Sequence, residues 1–89
     1  MEKTIKVLVL TNNQILISQI EEVGADLGEP DCKLVKPFEV KTDIAENVFL
    51  IPWNSDYTSQ DTFMVSSEKI LTIVDPKPTL LEKYQLIIK

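Results

Sequence analysis

The chain has 89 residues, with nine lysines against fourteen carboxylates, no arginine, no histidine and a net charge of −5. That length holds one modest core and no second domain, and the acidity repels phosphate backbones and anionic lipid unless the lysines gather on one face. The usual neutral-pH base, the commonest metal ligand and bidentate guanidinium recognition are all missing, so the composition points away from an enzyme.

TIKVLVLT, residues 4–11, is rich in β-branched side chains and reads as a strand. Ile5, Val7 and Val9 fall on one face, and Lys6, Leu8 and Leu10 on the other. Asn12-Asn13 supplies a tight turn, because asparagine accepts a positive φ. Residues 14–23 then return as a second strand. The apolar run Ile5–Leu10 is interrupted by Lys6 and is too short for the core of a signal peptide. Nothing approaches the roughly 20 apolar residues of a membrane span, so the expected location is the cytosol.

GADLGEPD, residues 24–31, holds both glycines and reads as an acidic loop. Asp26, Glu29 and Asp31 match no EF-hand spacing, and neither metal nor cofactor is expected. CKLVKPFEVK, residues 32–41, is a third strand; Pro37 cannot donate a ladder bond, which places it at an edge or a bulge. Cys32 is the only cysteine, excludes an intrachain disulfide, and reads as a buried structural thiol. A polar turn, Thr42–Glu46, leads into NVFLIPW, a strand ending at Pro52. Trp53 and Tyr57 bracket the following loop as candidates to stack a base or anchor a protein partner. For Trp53 the plainer role is a lid over the open end of a barrel.

FMVSSEKILTIVDP, residues 63–76, is two apolar runs around a polar tetrad, an ordinary hairpin or half of a larger motif. The period then changes. Thr79-Leu80-Leu81-Glu82 fits a capping box, and Leu80, Leu81, Tyr84, Ile87 and Ile88 fall on one helical stripe. A helix of ten residues needs a surface to dock on, either the sheet or a neighbouring subunit. The expectation is a mainly β single domain over 1–89, with strands near 4–11, 14–23, 32–41, 47–53, 61–66 and 70–75 and a helix near 80–88. Short strands so evenly spaced build a small barrel or a strongly bent antiparallel sheet, and SH3-like, OB and Sm-like barrels all satisfy the pattern.

Residues 63–76 resemble the second Sm motif: Met64-Val65, a polar turn, then Ile70–Val74, in a pattern similar to the bacterial Hfq branch. IKVLVLTNNQILISQIEEV looks like the opening two strands of the first Sm motif, and CKLVKPFEV like its third. Leu34–Pro37, Pro52-Trp53, Ile70–Pro76 and Leu80–Tyr84 extend the likeness to Sm-like proteins of unknown function from marine, cyanophage-type viruses, for which the cytosol would be the host's. The resemblance implies a five- or six-stranded, strongly bent barrel. It also implies a homo-oligomeric ring that pairs the fourth Sm strand of one subunit with the fifth of the next. Here those are residues 61–66 and 70–74, with Thr62, Met64, Ser66, Leu71 and Ile73 at the interface.

The resemblance also implies that the ring binds RNA, and here the residues depart. Typical Sm proteins carry Arg-Gly in the turn, where this chain has Ser66 and Ser67; Hfq-like proteins carry Lys-His, where it has Ser67 and Glu68. By motif position only Lys33, Ser67 and Lys69 remain to contact RNA, and Lys33, Lys36, Lys41 and Lys69 make a basic stripe only if the fold gathers them. The expectation is a non-enzymatic, homo-oligomeric Sm-like module that holds a protein partner, with no membrane or small-molecule substrate. The alternative is an RNA-binding ring with lysine-based contacts.

Overall fold

A computed structural model describes residues 4–24 and 30–88. Six antiparallel strands form one sheet: β1 (Thr4–Leu10), β2 (Ile15–Glu22), β3 (Cys32–Thr42), β4 (Val48–Pro52), β5 (Thr62–Val65) and β6 (Ile70–Val74). A single helix, α1 (Pro78–Ile88), follows. The strand order is β4-β3-β2-β1-β6, and β5 also pairs with β3. Between β1 and β2 the chain turns at Asn13, whose φ is 72°, while the Asn12 side-chain carbonyl accepts from the Gln14 amide at 3.0 Å.

Both faces of the sheet are covered. Leu8 stands opposite Leu16 and Val7 opposite Ile17, so the pleat sends neighbouring apolar residues to opposite sides. Leu8, Leu10, Leu16 and Leu34 form one core, closed by Ile20, Trp53, Val65 and Ile70. Val7, Ile17 and Tyr84 form the other, beneath Phe38, Val40, Leu50, Leu80 and Ile88. The helix therefore docks on its own sheet.

Midway along β3 the register shifts, so that Ser18 faces both Lys36 and Pro37, and Lys36 takes a φ of 53°. This bulge satisfies the constraint of Pro37 inside a strand paired on both sides. It also divides the far edge of β3: Cys32–Val35 pairs with β5 and Phe38–Thr42 with β4. The loop between β4 and β5 starts and ends there, through the Trp53 amide to the Pro37 carbonyl (3.0 Å) and the Lys36 amide to the Asp61 carbonyl (2.6 Å). A bulge leaves ladder groups without partners, and here two buried hydroxyls supply them. Tyr84 donates to the Lys36 carbonyl at 2.7 Å, lies 3.3 Å from that of Val35, and accepts from the Gln19 amide at 3.2 Å. Ser18, fully buried, donates toward the Gln19 and Val35 carbonyls at 2.9 and 3.2 Å.

Four expectations need correction. Residues 63–76 are not a hairpin. A 3-10 turn, Ser67–Lys69, joins β5 to β6, but β5 pairs with β3 and β6 with β1. The sheet is accordingly open between them rather than closed into a barrel. The helix starts at Pro78, inside the position proposed for a Thr79 cap; the fixed φ of proline suits a first helical residue. Ile87 leaves the buried stripe and is 45% exposed, because Leu80, Tyr84 and Ile88 follow one another at i+4 and carry the contact line past it.

Candidate functional site

At one end of the sheet, the β1–β2 turn, Trp53, the end of β5 and the 3-10 turn line an open cavity of about 500 Å³. Its walls include Thr11, Asn12, Trp53, Met64, Ser66 and Lys69. The Thr11 amide donates to the Lys69 carbonyl at 2.9 Å, which fixes the two turns against each other. Gln14 ties two of these residues together. Its side-chain oxygen accepts from the Asn12 amide group at 3.0 Å and from the Trp53 indole N–H at 3.3 Å. Trp53 rests on the Leu8–Leu34 core and meets Phe63 edge-on, with centroids 5.2 Å apart. Beyond Trp53 lies a second cavity of about 460 Å³, between Phe38, Phe63, Lys36 and Asp61.

The 3-10 turn is clamped from the far end of the acidic loop. The Asp31 carboxylate accepts from the Ser67 amide at 2.7 Å and from its hydroxyl at 2.8 Å. The amide bond, and then the hydroxyl bond, hold the Asp31 carboxyl below its ordinary range. A depressed carboxyl stabilises the fold above the ordinary aspartate range and loses that contribution as pH falls through it. Asp31→Asn is therefore expected to loosen the turn at neutral pH and to remove this acid dependence. Amide hydrogen exchange at Ser67–Lys69, compared at neutral and acidic pH, reads the effect; unchanged protection would mean that the clamp is idle.

Only some of the residues singled out by sequence converge. Lys69, Trp53, Met64 and Ser66 share the first cavity. Ser67 is turned to Asp31, and Ser66 caps the 3-10 turn by accepting from the Glu68 amide at 3.4 Å. Lys33 stands in the ladder between Glu21 and Met64. Lys36 donates to the Ile88 carbonyl at 3.4 Å, and Lys41 lies 3.8 Å from Glu39, so the four lysines form no stripe. Tyr57 is 87% exposed in the loop, apart from Trp53. Along the strands that resemblance assigns to an interface, Met64, Leu71 and Ile73 are exposed and Thr62 is half-buried. Asp26 and Glu29 lie outside the described residues, and the Asp31 carboxylate serves the turn.

Sequence reading missed Asn12 and Gln14, which it assigned only to a turn and a strand, and it missed the Asp31 clamp, whose partner is 36 positions away. Cys32 is 5% exposed; burial, and then the Asp31 and Glu22 carboxylates, push its thiol up, which keeps it protonated. Among the described residues no group of histidine, cysteine or carboxylate side chains is placed to hold a metal ion, and no helix is long and apolar enough to cross a membrane. An indole, an amide, hydroxyls and one ammonium are suited to binding; no nucleophile is paired with a base among the residues lining the cavity.

No curated protein matches this sequence. Residues 3–89 match the profile of DUF6561, a family of unknown function, and the chain belongs to that family.

Proposed function

We propose that this chain is a non-enzymatic, Sm-like assembly module whose copies join through the free edges of β5 and β6. Those two edges carry the reading. β5 pairs only with β3 and β6 only with β1 among the described strands, so each keeps one row of backbone donors and acceptors without a strand partner. Met64, Leu71, Ile73 and Val74 are exposed along them. Ile73 stands opposite Leu8 on the face that forms the first core, yet is 45% exposed because none of the described strands lies beyond β6. An uncharged, β-branched open edge is an aggregation hazard unless something covers it.

Pairing β5 of one copy with β6 of the next would satisfy both rows and extend the core over Ile73. Such head-to-tail pairing gives a ring when the rotation closes. A ring repeats the Trp53 cavity on every subunit, so a modest site gains avidity for a protein partner. The test is the mass in solution of the native protein and of a Leu71→Lys, Ile73→Lys variant.

One observation favours a second reading, RNA binding. Lys69, Asn12 and Trp53 line a single cavity, offering an ammonium, an amide and an indole to a phosphate and a base. Lysine contacts of this kind predict affinity that falls steeply with salt. Under this reading Lys69→Glu weakens binding of short A-rich or U-rich RNA by about tenfold or more at low salt. Filter binding or fluorescence anisotropy checks it, and no binding by the native protein at low salt rejects it.

A further inference from the structure

The β3–β4 hairpin ends in a turn held by its own side chains. The Asp43 amide donates to the Asn47 carbonyl, and the Glu46 amide to the Asp43 carbonyl, both at 3.0 Å. The Asn47 amide donates to Asp43 Oδ1 at 2.9 Å, and Glu46 takes a φ of 65°. At the apex Ile44 is completely exposed, between the carboxylates of Asp43 and Glu46. A lone surface isoleucine is ordinary. One fixed at the tip of a rigid turn, inside an acidic frame, has the form of an anchor.

A receptor of matching chemistry is present on the same chain. Between the hairpin and the first turn of α1 lies a cleft of about 280 Å³, floored by Val40, Val48 and Leu80 and edged by Lys77, Thr79 and Lys83. Its charged lining is wholly cationic, although the chain carries a net −5. Lys83 donates to the Val48 carbonyl at 2.7 Å and keeps two further N–H donors. Neither Lys77 nor Lys83 pairs with a carboxylate among the described residues.

We propose that the tip of one copy docks in the cleft of a second copy. Ile44 enters the apolar floor, and Asp43 and Glu46 face Lys77 and Lys83. Val40 and Val48 belong to the strands that carry the tip, so a hairpin cannot fold back onto its own cleft, and the occupant is another molecule. Two copies exchanging tips about a two-fold axis fill both sites at once and close the contact. The tip and cleft use residues 40–48 and 77–83 and the edge pairing uses residues 62–65 and 70–74, so the two contacts share no residue. The acidic tip also disfavours RNA and anionic membrane as its target.

The test uses the full chain with Leu71→Lys and Ile73→Lys, so that edge pairing does not contribute, isotope-labelled and diluted from millimolar to micromolar. Concentration-dependent NMR shifts are expected at Ile44 and at Val40, Val48 and Leu80. Ile44→Asp, at a fully exposed position, should abolish them without altering the rest of the spectrum. Glu46→Lys and Lys77→Glu should each weaken self-association about tenfold, and an equimolar mixture of the two variants should recover most of it, because the mixed pair has one native tip-and-cleft contact and one with the charges exchanged. No concentration dependence at millimolar, shifts confined to other surfaces, persistence in Ile44→Asp, or no recovery in the mixture would each overturn the proposal.

Discussion

Tyr84→Phe is expected to destabilise the fold by about 2 kcal/mol, although it removes a single oxygen atom. That oxygen completes the β3 bulge: it serves the Lys36 carbonyl at 2.7 Å and the Gln19 amide at 3.2 Å, in a side chain with no exposed surface. Deleting it leaves a buried donor and a buried acceptor unmatched, each at a cost of roughly 1–3 kcal/mol, partly offset by the easier burial of phenylalanine. Tyr84→Ala also removes the edge-on contact with Phe38, at 5.9 Å between centroids, and the packing on Val7 and Ile17. A loss of about 3–5 kcal/mol is expected there, enough to unfold much of a domain whose total stability is roughly 5–15 kcal/mol. Urea unfolding of the three proteins measures both effects. A phenylalanine variant as stable as the native chain would show that the bulge does not depend on the hydroxyl.

The same residue gives the fold an alkaline limit. Burial pushes the Tyr84 phenol up to about 12, against the bond from the Gln19 amide, which acts in the opposite direction. Unfolded, the phenol loses its proton near its ordinary value of about 10. Between those values the folded state holds one more proton than the unfolded state, so stability falls as pH rises. The contribution is complete below about pH 10 and declines by at most about 1.4 kcal/mol per pH unit up to about 12. Tyr84→Phe should lack this part of the decline. In a Tyr57→Phe background, phenolate absorbance should follow the unfolding transition rather than precede it.

The second large effect concerns assembly. At micromolar concentration, Leu71→Lys with Ile73→Lys should reduce the particle mass to that of the 10.1 kDa chain while leaving the subunit folded. Leu71 is 68% and Ile73 45% exposed, so lysines at those positions keep their ammonium groups in water within a single chain. Within a β5–β6 contact the same ammonium groups would be buried without partners, at several kcal/mol each. Each 1.4 kcal/mol is a factor of ten in association, so two such charges are sufficient to break the edge pairing. Light scattering and sedimentation give the mass, and circular dichroism the fold. A native protein that is already 10.1 kDa at high micromolar concentration would remove the assembly reading.

Patterns with a short period were the legible part of this chain. The alternation in TIKVLVLT, the two asparagines, Pro37 and the change of period after Pro78 concern residues within a few positions of each other, and their physics is local. The structure accordingly has six antiparallel strands, a bulge at Pro37 and a C-terminal helix. Local pattern misled where two outcomes share one pattern. Residues 63–76 have the alternation of a hairpin, but whether two adjacent strands pair depends on which other strands compete for their edges. Here β3 and β1 take them. The capping box failed for a related reason: Thr79 and Glu82 have the right spacing, but Pro78 was able to begin the helix two residues before the expected start at Leu80.

The candidate site was legible only in fragments. Lys69 and Trp53 share a cavity, but Asn12 joins them from a turn about 40 positions before Trp53, and Gln14 ties Asn12 to Trp53 from outside the lining. The Asp31–Ser67 clamp, the Tyr84 hydroxyl beneath the bulge and the Lys77–Lys83 cleft beside Val48 likewise unite residues from distant segments. By itself the sequence determined the elements, the likeness of period to small β folds and the absence of histidine and arginine chemistry. The tertiary structure decided that the sheet stays open, which edges remain without strand partners, and which polar groups meet. Strand formation depends on side chains a few residues apart, whereas those three outcomes depend on contacts between segments that only the folded backbone brings together.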